Sequence, residues 1–371
     1  MSEIPKTMKA IVVDGDKAVL KENVAVPKVT GTQMLVKVHA VAGNPTDWKH
    51  VDFKIAPQGS ILGCDVAGVI VELGPDVDQK RFSVGKTTFG PVHGGSIKFP
   101  ENGGHAEYAL LDSVLSYDLE LTKSDSKTIP EGPVRNFESA ASLPVSILTA
   151  GAVLDIHFGN KLEWEPKSPQ HDFPLLIWGG ATGVGQWLLQ VAKQINAYSK
   201  IIVVASKKHD AILKQYGADD VFDYHDSDVI EQITKKYGGL KHLVDGVSTP
   251  QTFHQVYKCA ADNATIVPLM LYTEKDFIPE DERKKGIKID AALLYLISGH
   301  DVPFGSITVP ARPEYRTKTS KFVEFSESRI KSGQLHHIPI KIYDGGLAAV
   351  PKLMNDIKHG VNSGEKLVAS W

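Results

Sequence analysis

A glycine cluster directly after an apolar run is the part of this 371-residue sequence whose spacing most clearly indicates chemistry. Residues 174–178 are apolar, the cluster reads Gly-Gly-Ala-Thr-Gly-Val-Gly over 179–185, and residues 187–193 have helical spacing of apolar side chains. Glycines let a backbone approach a pyrophosphate closely, and a helix N-terminus presents unpaired N–H groups to it. Strand, glycine turn and helix in this order predict a dinucleotide-binding βαβ unit. Because Thr182 replaces the middle glycine of the usual pattern, a glycine-rich turn of another α/β protein is the alternative.

The segments that follow the glycine cluster alternate between strand and helix patterns. Residues 200–205, 217–224, 240–247 and 264–269 are predicted strands with helical patterns between them, which indicates a parallel, doubly wound sheet. An NAD site holds an acid at the end of the second strand, to bind the ribose hydroxyls. Here that place reads Ala205-Ser206-Lys207-Lys208, and a hydroxyl with lysines suits a 2′-phosphate. We therefore expect NADPH as the cofactor, with NADH possible. The alternative is that the two lysines only begin a surface helix and do not bind a phosphate.

Composition places the chain among ordinary globular proteins and excludes several classes. Apolar residues make up 42% and charged residues 23%. A net charge of -3 gives no indication of a nucleic-acid or anionic-membrane partner. Two cysteines exclude a disulfide framework and fit a reducing compartment. The sequence shows no signal core and no apolar run of membrane-spanning length, so a cytoplasmic protein is expected.

Residues 8–120 differ from the middle of the chain. Short strand patterns at 8–13, 33–42, 64–73 and 105–112 are separated by Gly and Pro turns, which predicts a mostly β region. Near the C-terminus, 318–331 reads as a helix, and a last strand at 366–369 is expected to return to the first domain. At this length, two domains are expected.

Several short motifs, taken in order, resemble the medium-chain dehydrogenase/reductase superfamily over nearly the whole chain. They are Gly63-x-Asp65-x-Ala67-Gly68-Val69, Gly104-x-Ala106-Glu107-Tyr108, Thr149-Ala150-Gly151, the glycine turn, Gly217-Ala218-Asp219 and Gly364-Glu365-Lys366-Leu367-Val368. The stretch Ala42 to Lys49 is similar to that of fungal zinc-type alcohol dehydrogenase-like reductases, near quinone oxidoreductases and trans-acting enoyl reductases. The resemblance implies an α/β protein with a GroES-like twisted β catalytic domain (1–147 and 314–371) and a Rossmann cofactor domain (148–313).

Zinc-binding members of that superfamily hold a catalytic metal through Cys, His and Cys. The positions that match are Asn44, Cys64 and Val145. Valine cannot ligate zinc, and asparagine is a poor ligand for it. Cys64 is then expected to be a small buried hydrophobe, and we expect no metal. Without a Lewis acid, an enolate is easier to stabilise than an alkoxide, because a few hydrogen-bond donors suffice for it.

The resemblance also supplies candidate site residues. The catalytic candidates are Asn44, Asp47, Lys49 and Thr149. Three of them have a structural alternative. Asn44 is as well explained as a helix cap, and Lys49, which replaces a tyrosine of quinone reductases, as a solvated surface lysine. The alternative for Thr149 is a threonine in a helix interior that bonds to its own backbone. Tyr224 matches a tyrosine that NADPH-using relatives bring to the 2′-phosphate. The cofactor candidates are Gly180, Ala181, Thr182, Gly183, Val184, Ser206, Lys207, Tyr224 and Val247.

Three hypotheses about function follow. The first is a zinc-independent NADPH-dependent reductase of activated C=C bonds (enals, enones) or of quinones. The second is an NAD(P)H-dependent aldehyde reductase or alcohol dehydrogenase that uses a protein proton donor. The third is a non-catalytic NADPH-binding protein, which the retained Asn44, Asp47 and Thr149 argue against. The expected partner is a small electrophilic carbonyl compound, with no nucleic acid and no membrane, and the protein is expected to be a monomer or a homodimer.

Overall fold

The structure is a computed structural model that describes residues 3–371, and the chain divides into two compact units. One unit combines residues 3–145 with Tyr295–Trp371, and the other is Ser146–Leu294. Residues 295–313, which the sequence interpretation assigned to the cofactor domain, lie in the first unit. The ring of Tyr295 is stacked on that of His93 there, a contact between distant parts of the chain that no local pattern encodes.

The N-terminal part of the first unit is mostly β. Its strands are β1 (Thr7–Asp14), β2 (Lys17–Ala25), β3 (Gln33–Ala42), β4 (Asp65–Leu73), β5 (Thr87–Pro91), β6 (Tyr108–Asp112), β7 (Tyr117–Asp118), β8 (Thr128–Ile129) and β9 (Gly132–Pro133), and its helices are α1 (Pro45–Asp52) and α2 (Phe137–Ala141). The pattern 33–42 predicted β3 to the residue. No sequence pattern predicted β2, because the side chains of that strand are exposed or half-buried along its whole length.

The second unit is a parallel sheet with helices between its strands. A helix α3 (Pro144–Ala152) leads into β10 (Leu175–Trp178), α4 (Gly183–Gln194), β11 (Ile201–Val204), α5 (Asp210–Gln215), β12 (Asp220–Phe222), α6 (Val229–Tyr237), β13 (Leu240–Asp245), α7 (Pro250–Cys259), β14 (Ala260–Pro268), α8 (Glu274–Phe277) and β15 (Lys288–Ile289). All five neighbour pairs are parallel, in the order β12-β11-β10-β13-β14-β15. This is the doubly wound order that places a nucleotide at the carboxyl ends of the strands.

The C-terminal part returns to the first unit. It contains β16 (Val302–Phe304), β17 (Ile307–Val309), α9 (Pro313–Ser332), β18 (His336–His337), β19 (Ile340–Tyr343), α10 (Val350–Lys358) and β20 (Lys366–Ser370). Strand β20 pairs with β3 and completes the sheet β7-β5-β4-β3-β20-β19-β8, with β6 also on β3. The predicted return of the tail is therefore confirmed, as is the α/β class with a twisted β domain and a doubly wound parallel sheet.

The buried cores explain the two sequence patterns. Strands β10 and β11 are buried at every residue, since helices cover both faces of a parallel sheet, and they read as continuous apolar runs.

The predicted strand 217–224 is shortened to β12, because Gly217 adopts a left-handed conformation (φ +114°) that ends the preceding helix. No helix within residues 3–371 is long and apolar enough to cross a membrane.

Candidate functional site

The turn between β10 and α4 requires its glycines for close backbone contact. A Cβ on Gly180 would lie 2.0 Å from Cγ1 of Val203, on the neighbouring strand. A Cβ on Gly185 would lie 2.3 Å from the carbonyl oxygen of Gly179 and 2.8 Å from the Cα of Gly180. Gly179 itself has φ +83°, which favours glycine. The helix can therefore start directly against the strand only with glycine at these positions.

Thr182 shows why the middle glycine is dispensable. It is the N-cap of α4: its Oγ1 accepts from the N–H of Gly185 at 3.0 Å and donates to the carbonyl of Gly179 at 2.8 Å. The N–H groups of Gly183 and Val184 are the first two of the helix and have no intrahelical acceptor. The first turn carries no acidic residue. This cradle suits a pyrophosphate, and Ala181 and Thr182 lie directly before it in the turn between β10 and α4.

The loops after β11 and β12 are joined by a carboxylate that the sequence reasoning missed. Oδ2 of Asp223 accepts from the N–H of Lys207 at 2.9 Å. Its Oδ1 accepts from the backbone N–H of His225 at 2.9 Å and lies 2.6 Å from Nδ1 of that ring. These N–H donors lower the pKa of Asp223. The bonds bring Lys207, and Ser206 before it, next to the loop of Tyr224, whose half-exposed ring lies 4.1 Å from that of His225.

Val247 and Thr149 are also placed by the second unit. Val247 follows β13 and is 40% exposed, and its Cγ2 lies 2.6 Å from the point that a Cβ on Gly179 would occupy. The candidate Val247 therefore lies beside the glycine turn. Thr149 is buried in the interior of α3.

In the first unit, Asn44 and Asp47 lie in a buried polar network at the start of α1. The backbone N–H of Asn44 donates to Oδ2 of Asp47 at 2.7 Å, a helix-capping arrangement. The side-chain amide of Asn44 donates to Asp65 at 2.8 Å and accepts from Nζ of Lys366 at 2.6 Å. Lys366 also lies 3.1 Å from Asp65. The amide is thus held in one orientation by two charged side chains, one of them from β20.

Burial gives Asp47 an unusual pKa. Loss of solvent raises it to about 7, with a further contribution from the Asp65 carboxylate, against the opposing effect of the Asn44 N–H. Nε2 of His105 lies 4.0 Å from Oδ2 of Asp47. Lys49 has different surroundings: it is half-buried, with its ammonium 5.7 Å from the centroid of the Trp48 indole.

The positions that match zinc ligands have donor chemistry that does not fit the metal. Burial raises the pKa of the Cys64 thiol well above its usual value, which disfavours the thiolate that zinc needs. Asn44 has its amide engaged, and Val145 offers a hydrocarbon side chain while its N–H donates to Asp65 at 2.7 Å. Within residues 3–371 no three His, Cys, Asp or Glu side chains are grouped so as to hold a metal ion.

The structure adds residues to this network that no sequence signal indicated. The hydroxyl of Tyr295 lies 2.6 Å from Oγ1 of Thr46 and 3.5 Å from Sγ of Cys64. Thr46 is followed one helical turn later by His50, whose Nδ1 lies 3.1 Å from the same Oγ1. The start of α1 contacts β20 through Lys366 and the segment 294–298 through Tyr295, and both contacts exist only in the folded chain.

Comparison with known proteins agrees with this architecture. The family described as alcohol dehydrogenase GroES-like domain matches residues 30–119, and the family described as zinc-binding dehydrogenase matches 183–301. The uncharacterized protein YNL134C of Saccharomyces cerevisiae is 54% identical over 372 residues, covering 99% of each chain. Trans-enoyl reductase grgB of a Penicillium species is 30% identical over 375 residues, covering 98% of each chain.

The chain belongs to the medium-chain dehydrogenase/reductase superfamily. The fold agrees with solved structures. The quinone oxidoreductase of Coxiella burnetii matches with a TM-score of 0.66 at 24% identity, covering 98% of this chain and 99% of that one. An alcohol dehydrogenase superfamily protein of Novosphingobium aromaticivorans matches with a TM-score of 0.72 at 20% identity, covering 98% and 100%. The protein is an oxidoreductase of this superfamily, whose members bind NAD(P)H, and the cradle at Gly183 and Val184 suits that ligand.

Proposed function

We propose that the protein is a zinc-independent, NADPH-dependent reductase of carbon–carbon double bonds conjugated to a carbonyl group, or of quinones. The observation that carries the proposal is the donor set at Asn44, Cys64 and Val145, which does not fit a Lewis-acidic metal. Several relatives that share about 30% of their residues with the chain are named trans-enoyl reductases, which supports the same class of substrate.

The chemistry divides between the cofactor and the polypeptide. The nicotinamide supplies a hydride to an electron-poor carbon when it is bound. The chain must bind the substrate carbonyl, stabilise negative charge on its oxygen and supply a proton. Asn44, Asp47 and Lys49 in the first unit and Thr149 in the second are our proposed substrate and catalytic residues. An enolate spreads its charge over carbon and oxygen, so hydrogen-bond donors in a dry site can stabilise it without a metal.

The preference for NADPH is proposed from the loops after β11 and β12. Ser206 and Lys207 offer a hydroxyl and an ammonium for a 2′-phosphate, and Tyr224 offers a half-exposed ring. Asp223 lies nearby, but both of its oxygens already accept from N–H groups. Its carboxylate is therefore less available to the ribose hydroxyls that an NAD-type acid would bind.

Product identification with trans-2-hexenal and NADPH tests the reaction class. We expect hexanal, with slow or no consumption of NADPH when hexanal itself is the substrate. Formation of 2-hexenol would reject double-bond reduction and support the alternative, an aldehyde reductase. Absence of turnover with enals, enones, quinones and saturated aldehydes alike would favour a non-catalytic NADPH-binding protein.

Zinc independence has its own test. Prolonged treatment with EDTA should leave the rate of NADPH oxidation unchanged, because Val145 and the engaged amide of Asn44 cannot hold the metal. The metal content of the purified protein, measured by mass spectrometry, serves as the control. Loss of activity in EDTA with recovery on adding zinc would contradict the proposal.

A further inference from the structure

The hydroxyl of Tyr295 lies in the first unit beside Thr46 and Cys64, next to the polar network at the start of α1. The residue belongs to a short 3₁₀ helix, Leu294–Ser298, and is 9% exposed. Its oxygen is 2.6 Å from Oγ1 of Thr46, a residue that lies between Asn44 and Asp47 on α1. It is also 3.5 Å from Sγ of Cys64. Tyr295 is thus the phenol that the fold brings to the proposed substrate-binding residues.

The directions of the hydrogen bonds leave the phenol proton available. Nδ1 of His50 lies 2.8 Å from the carbonyl oxygen of Thr46, which can only accept, so Nδ1 carries the hydrogen. The same N–H points to Oγ1 of Thr46 at 3.1 Å. Either oxygen of the Thr46–Tyr295 pair can donate, and we take the hydroxyl hydrogen of Thr46 to be directed to the oxygen of Tyr295. The remaining acceptor for the Tyr295 hydrogen is the sulfur of Cys64, a weak one that a substrate oxygen would replace.

Packing fixes the orientation of this phenol. Its ring is stacked on His93, with centroids 3.7 Å apart and 13° between the planes. The ring of His50 is nearly perpendicular to that of Tyr295, with centroids 5.5 Å apart, and the ring of Phe304 is inclined to it by 39°, with centroids 6.2 Å apart. A donor whose ring is held on several sides loses little freedom when it engages a substrate.

The titratable groups around the phenol keep it protonated. Burial raises the pKa of Tyr295 well above its usual value, and the neighbouring Cys64 raises it further. Burial also lowers the pKa of His50 to about 4 and that of His93 to about 3, so both rings are neutral near pH 7. Asp47 is the nearby carboxyl group, and it disfavours a phenolate as well.

We propose that the Tyr295 hydroxyl donates a hydrogen bond, and then a proton, to the carbonyl oxygen of the substrate, and that Thr46 and His50 form the relay that restores this proton. The inference rests on the proposed reductase function. Nothing in the motifs at Asn44–Lys49 assigns this role to Tyr295, because the residue lies about 250 positions away in the sequence.

The proton and electron balance of the step is complete. A bound nicotinamide would supply the hydride for the β-carbon of the substrate, and the π electrons would then move onto the carbonyl oxygen. The O–H bond of Tyr295 breaks, and a bond between that proton and the substrate oxygen forms, giving an enol that tautomerises to the saturated carbonyl compound. In the same step the Tyr295 oxygen takes the proton of Thr46, and Thr46 takes the Nδ1 proton of His50, so that no free phenolate is formed in surroundings that disfavour it. The relay is closed by one proton that passes from solvent to Nε2 of His50, a buried atom without a hydrogen bond to residues 3–371, and one hydroxide ion is left in solvent.

The variant Tyr295→Phe tests the donor and keeps the ring in its stack. We expect kcat for an enal to fall by about 100-fold or more, the usual contribution of a general acid, with unchanged binding of NADPH measured by fluorescence. The matched control is Tyr117→Phe, which removes another buried hydroxyl of the first unit, bonded to Ser326 at 3.0 Å, and should leave kcat unchanged. Thr46→Val should lower kcat less than Tyr295→Phe does, and Thr46→Ser should restore it.

A second readout needs no turnover. trans-2-Hexenal labelled with ¹³C at its carbonyl is bound to the protein saturated with NADP⁺, which cannot reduce it. In the wild type the infrared C=O band should move to lower wavenumber, and in Tyr295→Phe this displacement should be lost. An unchanged band together with an unchanged kcat would overturn the inference and leave the proposed function standing. If the wild type reduces no activated substrate, the proposed function fails, and the infrared band alone decides whether Tyr295 binds the carbonyl.

Discussion

The buried ion pair between Lys366 and Asp65, which orients the amide of Asn44, gives a quantitative test of what stabilises the first unit around Asn44. Lys366 on β20 and Asp65 on β4 have side chains that are 8% and 0% exposed, with Nζ and Oδ2 3.1 Å apart. The variant Lys366→Met keeps most of the side-chain volume and removes the charge. It leaves the Asp65 carboxylate buried without its counter-ion.

The size of the loss follows from what Asp65 retains. Breaking a buried ion pair on one side costs about 3–5 kcal/mol, because the remaining charge stays out of water. Asp65 still accepts from the N–H of Val145 at 2.7 Å and from the amide of Asn44 at 2.8 Å. We therefore expect the lower end of that range, about 3 kcal/mol of unfolding free energy. Because Nζ also fixes the amide of Asn44, KM for the enal substrate should rise.

Urea unfolding of four proteins measures the effect: wild type, Lys366→Met, Asp65→Asn and the double variant. The double variant removes both charges, so its loss should be smaller than the sum of the single losses by about 2 kcal/mol. The surface pair Lys127–Asp344, at 2.6 Å with both side chains more than 70% exposed, supplies the control Lys127→Met, which should unfold like the wild type. Additive losses, or an effect of Lys366→Met no larger than that of the control, would refute the reasoning.

Three further predictions concern the acid in the network and the cofactor loops. The pKa of Asp47 is raised to about 7 in the folded protein, so folding takes up a proton between about pH 4 and 7. The stability that the protonated carboxyl group contributes is therefore lost as the pH rises through 7. Urea unfolding at pH 5 and pH 8 should show this decline in the wild type and not in Asp47→Asn. The double variant Ser206→Ala/Lys207→Ala should raise the Kd for NADPH at least tenfold, about 1.4 kcal/mol, and the Kd for NADH far less; equal changes in a fluorescence titration would reject the 2′-phosphate assignment. Gly185→Ala places a Cβ 2.3 Å from a backbone carbonyl and should weaken binding of both cofactors, while Gly132→Ala, with open space around it, should bind them like the wild type.

Local pattern was sufficient where the residues needed are neighbours in the sequence. The glycine turn, its strand and its helix lie within residues 174–194, and glycine is required at position 185 by contacts of 2.3–2.8 Å with Gly179 and Gly180 across that turn. Period and apolar content also located β3 and the parallel strands, because these are buried on one or both faces. Strand β2 was missed because its exposed side chains carry no such period.

The surroundings of the proposed substrate residues could be predicted only in part, because the residues that form them are far apart in the sequence. Asn44 and Asp47 were proposed by resemblance in a contiguous stretch, but the partners that orient Asn44 are Asp65 and Lys366, 21 and 322 residues away. Asp223 gave no signal as the carboxylate that joins the cofactor loops, because its partner Lys207 is on the loop of the neighbouring strand.

The sequence by itself determined the two-domain plan, the glycine turn between strand and helix and the residue types that do not fit a zinc ion, since each depends on local periodicity or on the chemistry of single side chains. Tertiary structure alone decided the raised pKa of Asp47, the orientation of the Asn44 amide and the contact of Tyr295 with Thr46. Those properties depend on burial and on hydrogen bonds between side chains far apart in the chain, and only the folded packing of α1, β4, β20 and the 3₁₀ helix Leu294–Ser298 creates them.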